Sequence, residues 1–224
     1  MKKAILAIIA ATVLLAGGGV VPASAAERPT IIKGHVYSVS GKPLAGVSVE
    51  ALPHQSEQGG TSDTTSKTGR FEIHVEFDGG KYDIRAYAKA RSGYANSAKA
   101  SVVSVKTGKS VKVNKRLEKA ATISGSAVNP DGTPAAGVTV LVGYVPYSGE
   151  DAEYDAKGYA TTNKNGEYSL EGLNSGDWTV FFRTGANVGN WYLNAATEDA
   201  ATVVSVRSGQ TVALPGVQTV VPGQ

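Results

Sequence analysis

The chain has 224 residues, no cysteine, and 22 Lys and Arg against 19 Asp and Glu, a formal net charge of +3. Without cysteine there is no disulfide staple and no thiol for a lipid anchor, so the fold must stand on apolar burial alone. Setting aside Lys2 and Lys3 leaves 20 basic and 19 acidic residues, a net of +1, and no Lys/Arg cluster dense enough to track phosphates, which argues against a nucleic-acid partner.

In chain order the first element is a leader. Lys2 and Lys3 form a basic start, residues 4–16 are apolar apart from Thr12, and residues 17–19 with Pro22 break any helix. Small residues at 23–26 then suit a signal peptidase. The apolar run is shorter than the roughly 20 residues that cross a bilayer. Residues 1–26 are therefore expected to be a removed signal peptide, cut after Ala25 or Ala26. The mature form is expected to be secreted, with no membrane span and no hydrophobic tail over 218–224.

The rest of the chain repeats. Gly34, Gly41, Pro43, Gly46, Val47 and Val49 recur 91 positions later as Gly125, Gly132, Pro134, Gly137, Val138 and Val140. Residues 65–71 return as 162–168, residues 80–84 as 176–180, and residues 101–113 as 202–214, in the same order. Four matched blocks in one order make a duplication. Within each copy the apolar residues alternate, as in Tyr82, Ile84 and Ala86, or in Trp178, Val180 and Phe182, which is the period of a half-buried strand. Glycine-containing turns such as Thr68-Gly69, Thr107-Gly108 and Asn165-Gly166 separate the runs. The first copy is predicted to place strands near 31–37, 45–52, 60–67, 70–77, 81–89, 100–106 and 110–117. The second places them near 122–128, 136–143, 158–163, 167–172, 177–184, 201–207 and 210–217. Short strands at this spacing read as two β-sandwich domains, 27–118 and 122–224, with a linker of a few residues.

The frame Gly-x(6)-Gly-x-Pro-x-x-Gly-Val-x-Val, then Thr-x-x-x-Gly-x-aromatic, then Gly-x-aromatic resembles the carboxypeptidase regulatory-like domain, twice over. That resemblance implies a transthyretin-like sandwich, similar in fold to starch-binding domains and to collagen-adhesin B-type repeats. The expected fold is all-β: two tandem seven-stranded antiparallel prealbumin-like β-sandwiches. The resemblance also implies an accessory, non-catalytic extracellular module, of a kind often engaged in carbohydrate or surface interactions. The adhesin relatives carry an internal Lys–Asn bond promoted by a carboxylate. Lys33 and Asn114 offer the pair, but the carboxylate position is Val75 in the first copy and Gly172, with Glu171 one residue early, in the second. No such bond is expected.

Chemistry-bearing residues are sparse. His35, His54 and His74 all lie in the first copy; His74 sits between Glu72 and Glu76 on one strand face, a set that metal ligation could use but that reads as a solvated polar face. No nucleophile–base constellation, phosphate loop or zinc-protease motif occurs, so no enzyme activity and no cofactor are expected. Glu150, Asp151, Glu153 and Asp155 form an acidic loop that fits no calcium motif.

Two insertions lengthen the second copy. Residues 144–157 carry Tyr144, Tyr147 and Tyr154, and residues 185–200 carry Trp191 and Tyr192 among Asn187, Asn190 and Asn194. A ring that stacks on a pyranose beside amides that bond its hydroxyls suits a sugar. Strand parity puts the second insertion at the free tip of the second copy, with the turns at 129–132 and 163–166. These five residues are the candidate ligand site, and the expected partner is a carbohydrate or an extracellular, cell-surface protein. The leading reading is a secreted, non-catalytic binding module for a polysaccharide or cell-envelope component. The alternative is a structural or adhesive spacer pair acting through protein–protein contacts. An exposed Trp191 favours the first, and a Trp191 folded back as core favours the second.

Overall fold

The computed structural model describes residues 28–56, 59–75, 79–89, 91–143, 158–185 and 188–220; the segment expected to be a signal peptide, residues 1–26, lies outside them. The molecule is all-β. In the first copy the strands are β1 (Thr30–Ser38), β2 (Ser48–Pro53), β3 (Thr61–Thr64), β4 (Arg70–Val75), β5 (Gly80–Tyr87), β6 (Ser101–Val105), β7 (Ser110–Lys112) and β8 (Lys115–Leu117). One sheet runs β4-β1-β7 with β8 also on β1, and the other runs β3-β2-β5-β6. Alternation along β1 buries Ile32 and Val36, and along β4 it buries Phe71, Ile73 and Val75. These meet Val49, Ala51, Tyr82, Ile84 and Ala86 from the facing sheet in one apolar core.

The second copy has β9 (Ala121–Val128), β10 (Thr139–Val142), β11 (Gly158–Thr161), β12 (Glu167–Leu173), β13 (Gly176–Trp178), β14 (Val180–Arg183), β15 (Gly189–Trp191), β16 (Val204–Val206) and β17 (Thr211–Thr219). Its sheets run β12-β9-β17 and β11-β10-β14-β15, with β13 paired to β16. Its core joins Ile123, Val140, Leu170, Val180 and Phe182, with Tyr168 edge-on to Phe182 at 5.4 Å between ring centroids. No buried residue is common to the two cores.

The expectation of wholly antiparallel sheets needs correction. The last strand of each copy lies parallel to the first: β7 and β8 on β1, and β17 on β9. An even number of chain reversals separates the first and last strands, so they run the same way and a pair formed by those two is parallel. The predicted last strand of the first copy is also interrupted, between β7 and β8. A side chain at Gly34 would lie 1.6 Å from the Val113 carbonyl oxygen, so β1 passes that carbonyl at a distance only glycine permits. Asn114 fills the break by accepting the His35 amide at 3.0 Å through its side-chain oxygen.

β8 ends at Leu117 and β9 starts at Ala121. The residues between them are held: the Glu118 carboxylate accepts from the Ser175 amide (2.6 Å) and hydroxyl (2.7 Å), and the Lys119 carbonyl accepts the Gly209 amide at 3.1 Å. Among the described residues no helix is long and apolar enough to cross a membrane.

Candidate functional site

The insertion at 185–200 is shaped by a change of residue type on the sheet beneath it. In the first copy Glu50 and Arg85 face each other across β2 and β5 on the outward side. Ninety-one and ninety-six positions later stand Leu141 and Phe181, likewise opposite each other across β10 and β14. An outward-facing apolar pair needs a cover. The insertion supplies it as β15, which pairs with β14 and sets Trp191 directly opposite Phe181. The rings lie 5.0 Å apart at 57°, and Leu141, Phe181 and Trp191 form a small second core, each under a tenth exposed.

Trp191 is therefore a covering residue, 3% exposed, and does not stand at the tip with its face to solvent. The next residue turns the other way. Tyr192 enters the main core of the second copy, also 3% exposed, and its hydroxyl donates to the Pro215 carbonyl at 2.7 Å. Burial holds that phenol above its ordinary pKa.

The asparagines work together with a residue that the sequence reading missed. Asn190 is buried and its Nδ2 donates to Asn194 Oδ1 (2.9 Å) and to the Thr219 carbonyl (2.8 Å). Gln218 on β17, 2% exposed, donates through Nε2 to Asn194 Oδ1 and to the Thr219 carbonyl, both at 2.7 Å, and accepts the Leu193 amide at 2.8 Å. This amide cluster fixes Leu193 and Asn194 in left-handed conformations (φ 59° and 61°) that L residues rarely adopt. Asn187 lies outside the described residues, as do Tyr144, Tyr147, Tyr154 and the acidic loop.

Asn190 and Asn194 line an open depression of ≈ 580 Å³ together with Pro130, Gly189, Ala195 and Thr219. Pro130 places it beside the turn at 129–132. Its polar lining is neutral amide and carbonyl, which can exchange hydrogen bonds but offers neither a nucleophile nor a general base. The two candidate aromatics lie beneath it in cores, so it has no stacking wall from them.

Elsewhere, His54 Nδ1 and Asp83 Oδ1 are 2.8 Å apart on the first copy. Glu72 sits between Arg70 (2.5 Å) and His74 (3.4 Å), and the Arg70 guanidinium in particular holds its carboxyl below the ordinary range. Among the described residues no group of three or more His, Cys, Asp or Glu is placed to hold a metal ion.

No protein-family model and no curated protein sequence matches the chain. Solved structures with some likeness include bacterial surface proteins named as pilins. The minor pilin of Streptococcus agalactiae is 16% identical over 87% of this chain and 98% of its own, with a TM-score of 0.40. A streptococcal ancillary pilin is 15% identical over 84% of this chain, with a TM-score of 0.39, and the TIE protein of Bacillus anthracis is 16% identical over 86%, with a TM-score of 0.36. The chain spans 62% of that ancillary pilin and 34% of the TIE protein. With scores this low, these three carry no argument about what this chain does.

Proposed function

We propose that the protein is a secreted, non-catalytic pair of β-sandwich modules that serves as a structural or adhesive spacer and acts through protein–protein contacts. The supporting observation is the use made of the insertion aromatics: Trp191 and Tyr192 are spent on cores and are not available to a ligand. A sugar platform at the insertion needs an exposed ring there, because stacking on a pyranose uses the ring face. The hydrogen-bonded junction at Glu118 and Lys119 also suits a spacer, since it ties the two copies through more than a flexible linker.

The motifs of each copy also support kinship with carboxypeptidase regulatory-like domains and a second reading, a module for a polysaccharide. What supports the latter is the depression at Asn190 and Asn194. Affinity electrophoresis of the chain through gels containing neutral polysaccharides separates the readings. A spacer migrates unretarded. Retardation that Asn194→Ala removes would overturn the spacer reading in favour of a carbohydrate module.

A further inference from the structure

The two copies share a frame but divide the charge. Residues 28–118 carry 15 Lys and Arg against 8 Asp and Glu, a net of +7, whereas residues 119–224 carry 5 against 10, a net of −5. The near-neutral total conceals opposite charge balances in the two copies.

The division is sharpest on one face. On the outward side of the β4-β1-β7/β8 sheet, the register aligns His74 with Ile31, Glu72 with Lys33 and Lys112, Arg70 with His35, and Arg116 with Tyr37. The Arg116 guanidinium lies 5.9 Å from the Tyr37 ring centre, and His35 stacks on Tyr37 at 5.7 Å. Glu72 is the one acidic residue among these aligned positions.

The second copy shows what the fold requires there. Ser124 and Ser126 replace Lys33 and His35, Ala213 replaces Lys112, and Glu167 and Glu171 replace Arg70 and His74. The equivalent sheet, β12-β9-β17, forms without these basic side chains. Lys33 stands between Glu72 on β4 and Lys112 on β7, a charged row that has no counterpart in the second copy. The basic face is therefore retained for something other than the fold.

The matching surface is on the same chain. Beside Glu167 and Glu171, an open groove of ≈ 630 Å³ runs between β11 and β12, lined also by Tyr159, Asn163 and Ser169. Tyr159 is 76% exposed. In the first copy a side chain bridges the equivalent edge: Asp63 on β3 accepts the Glu72 amide at 2.7 Å. In the second copy Ala160 stands at that position and Ser169 at that of Glu72, so this bridge is missing. An acidic groove with an aromatic wall suits long cationic side chains, which bond its carboxylates and lie against the ring.

We infer that the basic face of the first copy docks on the acidic β11–β12 groove of the second copy of another molecule, so that the chain associates head to tail with itself. This rests on the spacer reading and names its partner. Both surfaces are exposed in one chain and differ from each other, so the contact is heterologous and leaves a free end of each kind for the next molecule.

Sedimentation velocity over a range of concentrations tests this with the full chain and two one-sided variants, Arg70→Glu/Lys112→Glu and Glu167→Lys/Glu171→Lys. The wild type should associate progressively, with an apparent affinity about tenfold or more weaker at 0.5 M than at 0.05 M salt. Each variant alone should sediment as a monomer, and an equimolar mixture should form a capped 1:1 dimer through the two intact surfaces. Circular dichroism checks that both variants keep their β spectrum. A monomeric wild type, or a mixture that stays monomeric while both variants are folded, overturns the inference. So does a monomer that instead shifts with an acidic polysaccharide. A monomeric wild type leaves the spacer reading standing; only retardation by a neutral polysaccharide through Asn194 sinks that.

Discussion

Thr65 and Thr162 hold the same place in the two copies, and they show why a short motif repeats when most surface residues do not. Each hydroxyl is buried and does two things. Thr65 donates to the Leu44 carbonyl (2.7 Å) and accepts the Val47 amide (2.9 Å); Thr162 donates to the Ala135 carbonyl (2.6 Å) and accepts the Val138 amide (2.9 Å). Four residues on, Gly69 and Gly166 turn at φ 76°, and a Cβ at either would come within 2.6 Å of a carbonyl oxygen. Thr162→Val keeps the shape but leaves a buried amide and carbonyl unmet, so it should cost about 1–3 kcal/mol in urea unfolding. Trp191→Ala should cost about 3–5 kcal/mol, because it removes the cover over Leu141 and Phe181; a change under 1 kcal/mol would mean that the ring contributes little to the small core. Lys115 tests a buried cation. Its Nζ donates to the Lys99 carbonyl and the Ser101 hydroxyl, both at 2.9 Å, and burial lowers its pKa from 10.5. The fold thus binds that proton less tightly than the unfolded chain does. Its contribution opposes folding below the lowered pKa, and the penalty is relieved as pH climbs to 10.5. Lys115→Met should remove that alkaline gain from the stability–pH curve, and an unchanged slope there would refute the assignment.

At the scale of elements, the strands were legible because alternation and glycine turns are local signals. What the alternation concealed was the second face. Val140, Leu141 and Val142 are all buried, as are Val180, Phe181 and Phe182, and such continuous runs mark strands covered on both sides. Reading Val180 and Phe182 as an alternating pair passed over Phe181, and with it the reason for the insertion. Gln218 gave no signal at all, since its partners on the insertion are 24 and 25 residues away in sequence. Gln218→Ala should free the Leu193 amide and loosen the left-handed pair at 193 and 194. Hydrogen exchange at Leu193 should quicken at least tenfold, in line with a loss of about 1.4 kcal/mol or more of local protection. Unaltered exchange would show that the insertion holds itself without β17.

For the whole molecule, the two separate cores predict that residues 27–118 and 121–224, expressed apart, each unfold cooperatively with a β-rich spectrum. If neither half folds alone, the junction at Glu118 and Ser175 carries stability that its hydrogen bonds do not suggest. The sequence by itself determined the duplication, the all-β class and most strand positions, because these follow from periodicity, turn chemistry and matched blocks along one chain. Tertiary structure alone decided that the first and last strands pair in parallel, that Trp191 and Tyr192 are core, and that six basic residues from four strands share one face. Each of those depends on which strands become neighbours and which side of a sheet is covered, and neither is a property of any local stretch of residues.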